Sequence, residues 1–379
     1  MNLHVLTPNR KTLVIAAIAS RPYVQAAVNA GFDVISIDGF TDEDTKHLAK
    51  TTHQVPITKM QLNADEVLAI VSTITPNTVA GFCYGAGFEM QPVLLDNINQ
   101  HIKVLGNSAE VVMQSKNPRW FFKCCDDVGV PYPKVMLAPP KTIDGWLQKT
   151  IGGSGGEHVK ILSATQAEVP GNVYFQKHQE GRLISCLFLV DQSGVHIIGF
   201  NEQWSESSAL APFRYGGAVS HAELSQVATL RFTAYINQLV SAMHLVGLNS
   251  CDAICDGHDV YVLEVNPRLS ATIDLYSPNY RGLMAMHVAA NCSKLVASAF
   301  EQNNQCKASI AHQVIYANCD VTIEHHMDWP DWVRDVPQAD NRFKIGMPLC
   351  TVMAKAETAR LAKSLVHDRA VELSSKLIN

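Results

Sequence analysis

Charge is scarce in this 379-residue sequence, which has 30 Lys and Arg, 35 Asp and Glu, and no run of basic residues. Charged residues make up 17% of the chain, and the net charge is -5. Proteins that bind a nucleic-acid backbone usually present a basic face. We therefore expect no nucleic-acid partner.

Long hydrophobic runs are missing as well. No stretch of about 18 apolar residues occurs, and residues 1–10 contain no apolar run after a basic start. Neither secretion nor a membrane partner is expected, and the predicted location is cytoplasmic. None of the ten cysteines forms a CxxC pair, so we expect most of them to be reduced and buried.

Several common cofactor motifs are absent where the chain could carry them. Residues 19–22 follow the first apolar run and read ASRP rather than GxGxxG, which argues against a nicotinamide cofactor. The glycines within residues 152–156 do not have the GxxxxGK[ST] spacing of a Walker loop. Residues 324–326 read EHH without HExxH spacing, so they do not indicate a zinc site.

What is present is the composition of a folded enzyme, with 47% hydrophobic residues, 22 Gly and 17 Pro. Apolar runs at residues 12–19, 32–37, 78–83 and 102–105 alternate with helix-like segments. Strands that alternate with helices imply a parallel sheet covered on both faces. We predict an α/β fold that begins with a Rossmann-like domain over residues 1–110.

The pattern changes after this first domain. A helix is predicted over residues 108–128, and the prolines within residues 129–133 mark a boundary. From residue 149 to residue 265, apolar runs of strand length are separated by glycine-containing turns, which predicts an antiparallel sheet. Further helices are predicted over residues 222–246, 282–299 and 357–376.

Oxygen-bearing side chains end one of the predicted strands. Glu264 and Asn266 are two residues apart, so in a strand they share a face. Asp252 lies on the preceding predicted strand, which would pair with the Glu264 strand as a hairpin. Carboxylate and amide oxygens suit Mg²⁺, and Arg268 just beyond them could reach a phosphate. We favour a metal site over the alternative, in which these residues occupy the wet face of an edge hairpin.

A lysine followed by glycines forms the second candidate. Lys149 ends a predicted strand, and the loop at residues 152–156 reads GGSGG. Such a loop can bring backbone N–H groups close to phosphate oxygens, and the lysine adds a positive charge. The alternative is a flexible surface turn.

These residues resemble the ATP-grasp superfamily over nearly the whole chain. The most specific element is LEVNPR at residues 263–268, preceded by the strand that carries Asp252. Lys149 and its glycine loop resemble the flap that covers the phosphates, and Lys116 resembles an earlier lysine of the family. Residues 175–181 resemble the hinge that holds adenine. The chain departs from the family at Ser250, where some ligases carry an arginine.

The resemblance implies a role for each matching residue. The residues implied to bind ATP are Lys116, Lys149, Gly153, Ser154, Gly155, Gln176, Lys177, His178 and Gln179. Those implied to hold two Mg²⁺ ions, which Mn²⁺ could replace, are Asp252, Glu264 and Asn266. Arg268 and Lys149 would act in catalysis, and Arg214 and Ser270 are candidate substrate contacts.

The resemblance also implies an ATP-grasp fold, with a Rossmann-like first domain and two α+β subdomains that hold ATP between them. We expect the first domain at residues 1–110 and the small subdomain with flap and hinge at residues 111–180. The large subdomain with the metal site would span residues 181–304. A C-terminal segment at residues 305–379 would pack on the first domain or beside the active site.

The implied function is a ligase that activates a small carboxylate as an acyl phosphate and joins it to an amine. An amino acid such as glutamate is the expected carboxylate. The sequence pattern is most similar to that of the ligases of cofactor biosynthesis, which include tyramine-glutamate ligases. Two alternatives remain: an ATP-dependent carboxylase that uses carboxyphosphate, and a non-catalytic ATP-binding sensor. The expected partners are small-molecule substrates and, by default, a second copy of the chain.

Overall fold

The computed structural model describes residues 11–163, 171–209, 211–278, 280, 282–293 and 308–377. Its first domain has a four-stranded parallel sheet in the order β3-β2-β1-β6. The strands of this domain are β1 (Thr12–Ala17), β2 (Asp33–Asp38), β3 (Thr51–Gln54), β4 (Ile57–Thr58), β5 (Gln61–Leu62) and β6 (Val79–Tyr84). Its helices are α1 (Arg21–Asn29), α2 (Glu43–Leu48), α3 (Ala64–Thr73), α4 (Val93–Asn99) and α5 (Ala109–Lys116), with a short 3-10 helix at Pro76–Thr78. The predicted parallel α/β arrangement is confirmed.

The predicted strand at residues 102–105 is wrong. This run forms only an isolated parallel bridge, between Val104 and Phe82 of β6. Ile102 and Leu105 are buried in the core, so the apolar run reflects burial rather than strand pairing.

The predicted helix over residues 108–128 is two helices, α5 and α6 (Pro118–Val128). The break falls at Asn117, whose extended backbone precedes Pro118, because proline disfavours helical geometry in the residue before it. The Asn117 side chain caps α6 by accepting hydrogen bonds from the amides of Arg119 and Trp120.

Two antiparallel sheets follow. The smaller sheet has the order β7-β10-β8-β9, and the larger has eight strands in the order β15-β14-β11-β12-β13-β16-β20-β18. The smaller sheet consists of β7 (Val135–Met136), β8 (Trp146–Thr150), β9 (Val159–Ile161) and β10 (Val173–Lys177). The larger consists of β11 (Arg182–Asp191), β12 (Gly194–Ser205), β13 (Tyr215–Ser220), β14 (Gly247–Asp256), β15 (Asp259–Asn266), β16 (Ser309–Tyr316), β18 (Val333–Arg334) and β20 (Pro348–Ala356). A separate pair joins β17 (Val321–Thr322) to β19 (Arg342–Phe343). The prediction of antiparallel pairing between residues 149 and 265 is confirmed.

The remaining helices are α7 (Gln226–Met243), α8 (Leu283–Asn291) and α9 (Ala359–Leu377), with a 3-10 helix at Ala271–Leu275. They match the three predicted helices, although α7 and α8 are shorter than expected and residues 294–299 lie outside the described residues. Among the described helices, none combines the length and apolar character that crossing a membrane requires.

The large sheet separates a core from the candidate site. Helices α6 and α7 cover one face at the β15 end and α9 covers it at the β20 end, while the other face turns toward the first domain. The C-terminal segment contributes β16, β18 and β20 to this sheet, so it is continuous with the large subdomain. The boundaries at residues 110, 180 and 304 remain our proposal.

Candidate active site

The hairpin of β14 and β15 brings the three candidate metal ligands together. Asp252 lies directly opposite Glu264, and Asn266 lies two residues further along the same face. The Asn266 amide donates to Asp252 Oδ2 at 2.9 Å. Cys251 and Val265 point to the opposite face, into the core beneath α7.

A lysine from α5 reaches this hairpin. Lys116 Nζ is 2.8 Å from Glu264 Oε2 and 2.8 Å from Asn266 Oδ1, and the side chain is buried. The two oxygens therefore converge on a single cationic group, which is the arrangement a divalent cation requires. The described residues contain no cluster of three or more His, Cys, Asp or Glu that could hold a metal, so the candidate set is two carboxylates and one amide.

The two carboxylates have divergent electrostatics. Burial and the charge of Glu264 raise the pKa of Asp252 to about 7. Burial acts to raise the pKa of Glu264, but the charge and hydrogen bond of Lys116, together with the charge of Lys149, outweigh it and lower that pKa to about 2. One firmly ionised carboxylate thus lies beside one that readily takes a proton, and a bound cation would favour the ionised form of both.

Lys149 approaches the same site from the small sheet. Its residue pairs with Tyr174 of β10 and Val159 of β9, and its side chain is buried. Burial lowers the pKa of Lys149, while the charges of Glu264 and Asp252 act to raise it. Among the described residues, the Lys149 ammonium has no side-chain hydrogen bond or ion pair, so its positive charge is available to a ligand.

The glycine loop after Lys149 is packed between the first domain and the large sheet. The Gly155 carbonyl accepts a hydrogen bond from the Tyr215 amide at 2.9 Å. A Cβ at Gly152 would lie 2.9 Å from Met90 Cγ, and one at Gly156 would overlap the Phe213 carbonyl. Both glycines also have positive φ angles, of 76° each, so the closed loop requires glycine at these positions.

Gly153 and Ser154 lie in the middle of this loop, and Ser154 is buried. The Ser154 carbonyl is 3.3 Å from Nδ1 of His158, a residue that sequence reasoning missed. Burial lowers the pKa of His158 to about 4, although the charge of Glu264 acts to raise it. His158 is therefore a neutral group beneath the loop, and no motif marks it in the sequence.

Arg268 is held by the first domain. Its Nε donates to Glu89 Oε1 at 2.9 Å, and its Nη2 lies 3.4 Å from Asn266 Oδ1. Glu89 and Gln203, which donates to Asp252 Oδ1 at 3.2 Å, are further residues that sequence reasoning missed. Both are far from the hairpin along the chain, so only the fold reveals them.

The candidate hinge lies at the end of β10. Gln176 is buried at 1% exposure, and its Nε2 has no hydrogen-bond partner among the described residues. The backbone amides of Lys177 and His178 donate to the Lys134 and Gly145 carbonyls, so an adenine would have to use other groups of this segment. Gln179 follows them, and within the described part of the chain its side chain donates one hydrogen bond, to the Glu180 carbonyl.

The two substrate candidates have different surroundings. Arg214 stacks on Tyr316 at 3.5 Å and donates to the carbonyls of Glu206 and Gly346 at 3.2 Å each, so it links β13 to the C-terminal segment. Ser270 instead caps the 3-10 helix at Ala271–Leu275. Neither side chain is within hydrogen-bonding distance of the metal candidates.

Comparison with known families identifies part of the chain. Residues 119–272 match the ATP-grasp domain family. This stretch contains Lys149, the glycine loop, the hinge and the β14–β15 hairpin, and the match confirms the superfamily predicted from LEVNPR.

Individual relatives are similar over nearly the whole chain. An uncharacterized protein of Methanocaldococcus jannaschii, MJ0776, is 21% identical, and the alignment covers 97% of this chain and 94% of that protein. The L-amino acid ligase from Bacillus licheniformis has a similar structure, with a TM-score of 0.70, 16% identity and coverage of 96% and 97%. The biotin carboxylase domain of the Hydrogenobacter thermophilus 2-oxoglutarate carboxylase, in complex with MgADP, ADP and bicarbonate, has a TM-score of 0.73, 12% identity and coverage of 96% and 90%. The chain therefore has the ATP-grasp fold.

Proposed function

The chain contains an ATP-grasp domain, and from that premise we propose that it is an ADP-forming ligase that joins a small carboxylate to an amine through an acyl phosphate. The broader class, ATP-dependent ligases and carboxylases, follows from the domain itself. The choice of ligation, of the substrates and of the individual residues is our proposal.

One observation carries the proposal. Three cationic side chains, Lys116, Lys149 and Arg268, surround the oxygen-bearing hairpin beneath a glycine loop that is closed onto β13. A nucleotide triphosphate bound with a divalent cation needs this combination of positive charge, oxygen ligands and a cover.

We assign Asp252, Glu264 and Asn266 to the cation, because their oxygens are hard ligands on one face of the hairpin. The cation, Mg²⁺ or Mn²⁺, would neutralise charge on the terminal phosphates of ATP. We propose two ions, since the two carboxylates and the amide offer more oxygens than one ion with phosphate ligands needs. Lys116 and Lys149 would contact the phosphates, and Gln176 with the hinge segment would hold the adenine.

The reaction follows from these positions. A carboxylate oxygen attacks the γ-phosphorus, the bond to the bridging oxygen breaks, and ADP leaves. Arg268 offsets the charge on the transferring phosphoryl group, because its planar fork suits phosphate oxygens. The amine nitrogen then attacks the acyl carbon, and inorganic phosphate and a proton are released. The closed glycine loop keeps water away from the acyl phosphate.

We propose an amino acid such as glutamate as the carboxylate and a small amine, such as tyramine, as the acceptor, in the manner of cofactor-biosynthesis ligases. The similar fold of an L-amino acid ligase supports an amino acid substrate. Arg214 is the candidate contact for a substrate carboxylate, and Ser270 is a second candidate contact. We propose a homodimer as the assembly, which light scattering can test.

The test is ADP release measured with pools of amino acids and amines, each pool alone and both together. Turnover that needs both pools is the expected result. Turnover that needs bicarbonate would replace the ligase with a carboxylase. Tight ATP binding without turnover in any mixture would replace it with an ATP sensor.

A further inference from the structure

We propose that Glu89 of the first domain is a positioning residue that aims Arg268 at the transferring phosphoryl group. This inference rests on the proposed function, since it presumes that Arg268 acts on that group. In this role, Glu89 is a contribution of the first domain to the active site.

Glu89 is itself rigidly held. It lies in the loop between β6 and α4, and it is 5% exposed. Its Oε2 accepts hydrogen bonds from the amides of Gly87 at 2.8 Å and Phe88 at 3.0 Å. Its Oε1 accepts from Arg268 Nε at 2.9 Å. Both oxygens of the carboxylate are therefore engaged, one by its own loop and the other by Arg268.

This contact determines the direction of the guanidinium. Arg268 Nη1 donates to the Leu269 carbonyl at 3.1 Å, while Nη2 is directed toward Asn266. A planar group fixed at Nε and Nη1 has one edge left for a ligand, and that edge faces the candidate metal ligands. The contact with Glu89 is the single ion pair that Arg268 forms with the described residues.

The first domain also holds the backbone on which Arg268 sits. Tyr84 donates to the Pro267 carbonyl at 3.1 Å, and Asn107 donates to the same carbonyl at 2.9 Å. Tyr23 donates to the Leu269 carbonyl at 3.2 Å. The carbonyls on both sides of Arg268 are thus fixed by the same domain that supplies Glu89.

The Glu89 backbone also lies beside the glycine loop, close enough that a side chain at Gly152 would meet it. A Cβ at Gly152 would lie 3.3 Å from the Glu89 carbonyl and 2.9 Å from Met90 Cγ. One short loop of the first domain therefore contacts Arg268 through the Glu89 side chain and lies beside the glycine loop with its backbone.

The conservative variant Glu89→Gln separates charge from shape. A carboxylate presents acceptors on both sides, whereas an amide presents one acceptor and one donor. In one orientation, the Gln NH2 group would face the amides of Gly87 and Phe88. In the other orientation it would face Arg268 Nε, so two donors would oppose each other in both cases. The guanidinium should then lose its fixed direction, and kcat should fall by about 10- to 100-fold with little change in KM for ATP.

The experiment is a double-mutant cycle with Glu89→Gln and Arg268→Lys, in which kcat and KM for ATP are measured. If Glu89 acts through Arg268, Glu89→Gln should cause little further loss in the Arg268→Lys background. Losses that multiply in the double variant would overturn the proposal, and so would an unchanged kcat in Glu89→Gln alone. A readout without catalysis is hydrogen exchange of the Arg268 Nε–H in ¹⁵N-arginine-labelled protein, which should be slow in the wild type and faster in Glu89→Gln.

Asp335→Asn is the matched control. Asp335 also forms an ion pair across the boundary, with the buried Arg21 through Nε at 2.9 Å, and its own side chain is partly buried, but it does not touch Arg268. This variant should lower thermal stability and leave kcat near that of the wild type. If the wild type shows no ATP-dependent turnover, the proposed function fails; if Arg268→Lys loses turnover and Glu89→Gln does not, the positioning role alone fails.

Discussion

Two buried ionic clusters lie where the first domain meets the large sheet, and they differ in how completely their charges are paired. In one, the Arg21 guanidinium donates to both oxygens of Asp274 at 2.6 Å each and to Asp335 at 2.9 and 3.3 Å. In the other, the candidate active site, the buried Lys149 has no ionic partner among the described residues. A fully paired cluster can stabilise a domain boundary. A buried charge without a partner is unfavourable, and a bound ligand of opposite charge would offset that cost.

The difference separates structure from function at similar burial. Arg21 and Lys149 are both almost inaccessible to solvent, at 2% and 9% exposure. Burial alone therefore does not identify the functional charge. The functional charge is identified by the number of bonds that each charge already makes. Substitutions at the two positions should therefore have opposite consequences for stability and for turnover.

The largest effect is expected for Glu264→Gln. The loss of a carboxylate charge from the proposed cation site should reduce ADP release by at least about 1000-fold while the protein remains folded, because metal-assisted charge neutralisation is the main contribution to this chemistry. Glu202→Gln is the control, since Glu202 lies on the opposite face of the sheet and pairs with Lys363 at 2.8 Å. Equal turnover in both variants would remove Glu264 from the site.

The next effect is expected for Lys149→Met. Removal of a cation that we propose to face the ATP phosphates should lower kcat/KM for ATP by about 100-fold. The melting temperature should stay constant or rise, because an unpaired buried charge is replaced by an apolar side chain of similar length. Steady-state kinetics measures the loss of kcat/KM, and thermal denaturation of the same preparation measures the melting temperature. A large loss of stability would mean that Lys149 has a structural role, as Arg21 does.

Arg21→Met should show the reverse. The buried carboxylate of Asp274 and the partly buried one of Asp335 would lose their partner, so the free energy of unfolding should fall by about 3–5 kcal/mol. Turnover measured well below the melting temperature should change little. Chemical denaturation gives the first quantity, and ADP release at low temperature gives the second; a selective loss of turnover would make the Arg21 cluster part of the substrate site.

A smaller effect concerns pH and a buried structural histidine. His287 Nδ1 accepts from the Leu248 amide at 2.9 Å and Nε2 donates to the Leu105 carbonyl at 3.0 Å, which requires the neutral ring. Burial lowers the pKa of His287 to about 4, below the ordinary value of about 6.5. As the pH falls, His287 of the unfolded chain therefore binds a proton before His287 of the folded protein does. The stability that His287 contributes is complete above about pH 6.5 and is lost as the pH falls toward 4.

The measurement is the free energy of unfolding from pH 7 to pH 4 in the wild type and in His287→Gln. The wild type should lose more stability over this interval than the variant does. Parallel curves would show that His287 does not titrate differently in the folded and unfolded states.

Local features of the site were predictable from the sequence, and long-range ones were not. The pairing of Asp252 with Glu264 followed from the period of two in a strand and from a short turn, both of which act over few residues. Lys116 was identified only by family resemblance, since 148 residues separate it from Glu264. Glu89 lies 179 residues from Arg268, and no local pattern indicates that contact.

The same limit applies to the fold. Alternation of strands and helices indicates the parallel first domain, yet the strand predicted at residues 102–105 is wrong, because burial and strand pairing favour the same residues. In the large sheet β16 lies beside β13 and β20 lies beside β16, a choice of neighbours that depends on tertiary packing. Periodicity within a segment contains no information about that choice.

The most direct test is a crystal structure of the protein with Mg²⁺ and a non-hydrolysable ATP analogue. We predict a cation about 2.1 Å from oxygens of Glu264 and Asn266 and from phosphate oxygens, with Lys149 beside the phosphates and the glycine loop above them. A nucleotide bound elsewhere, with these side chains turned to solvent, would contradict the account.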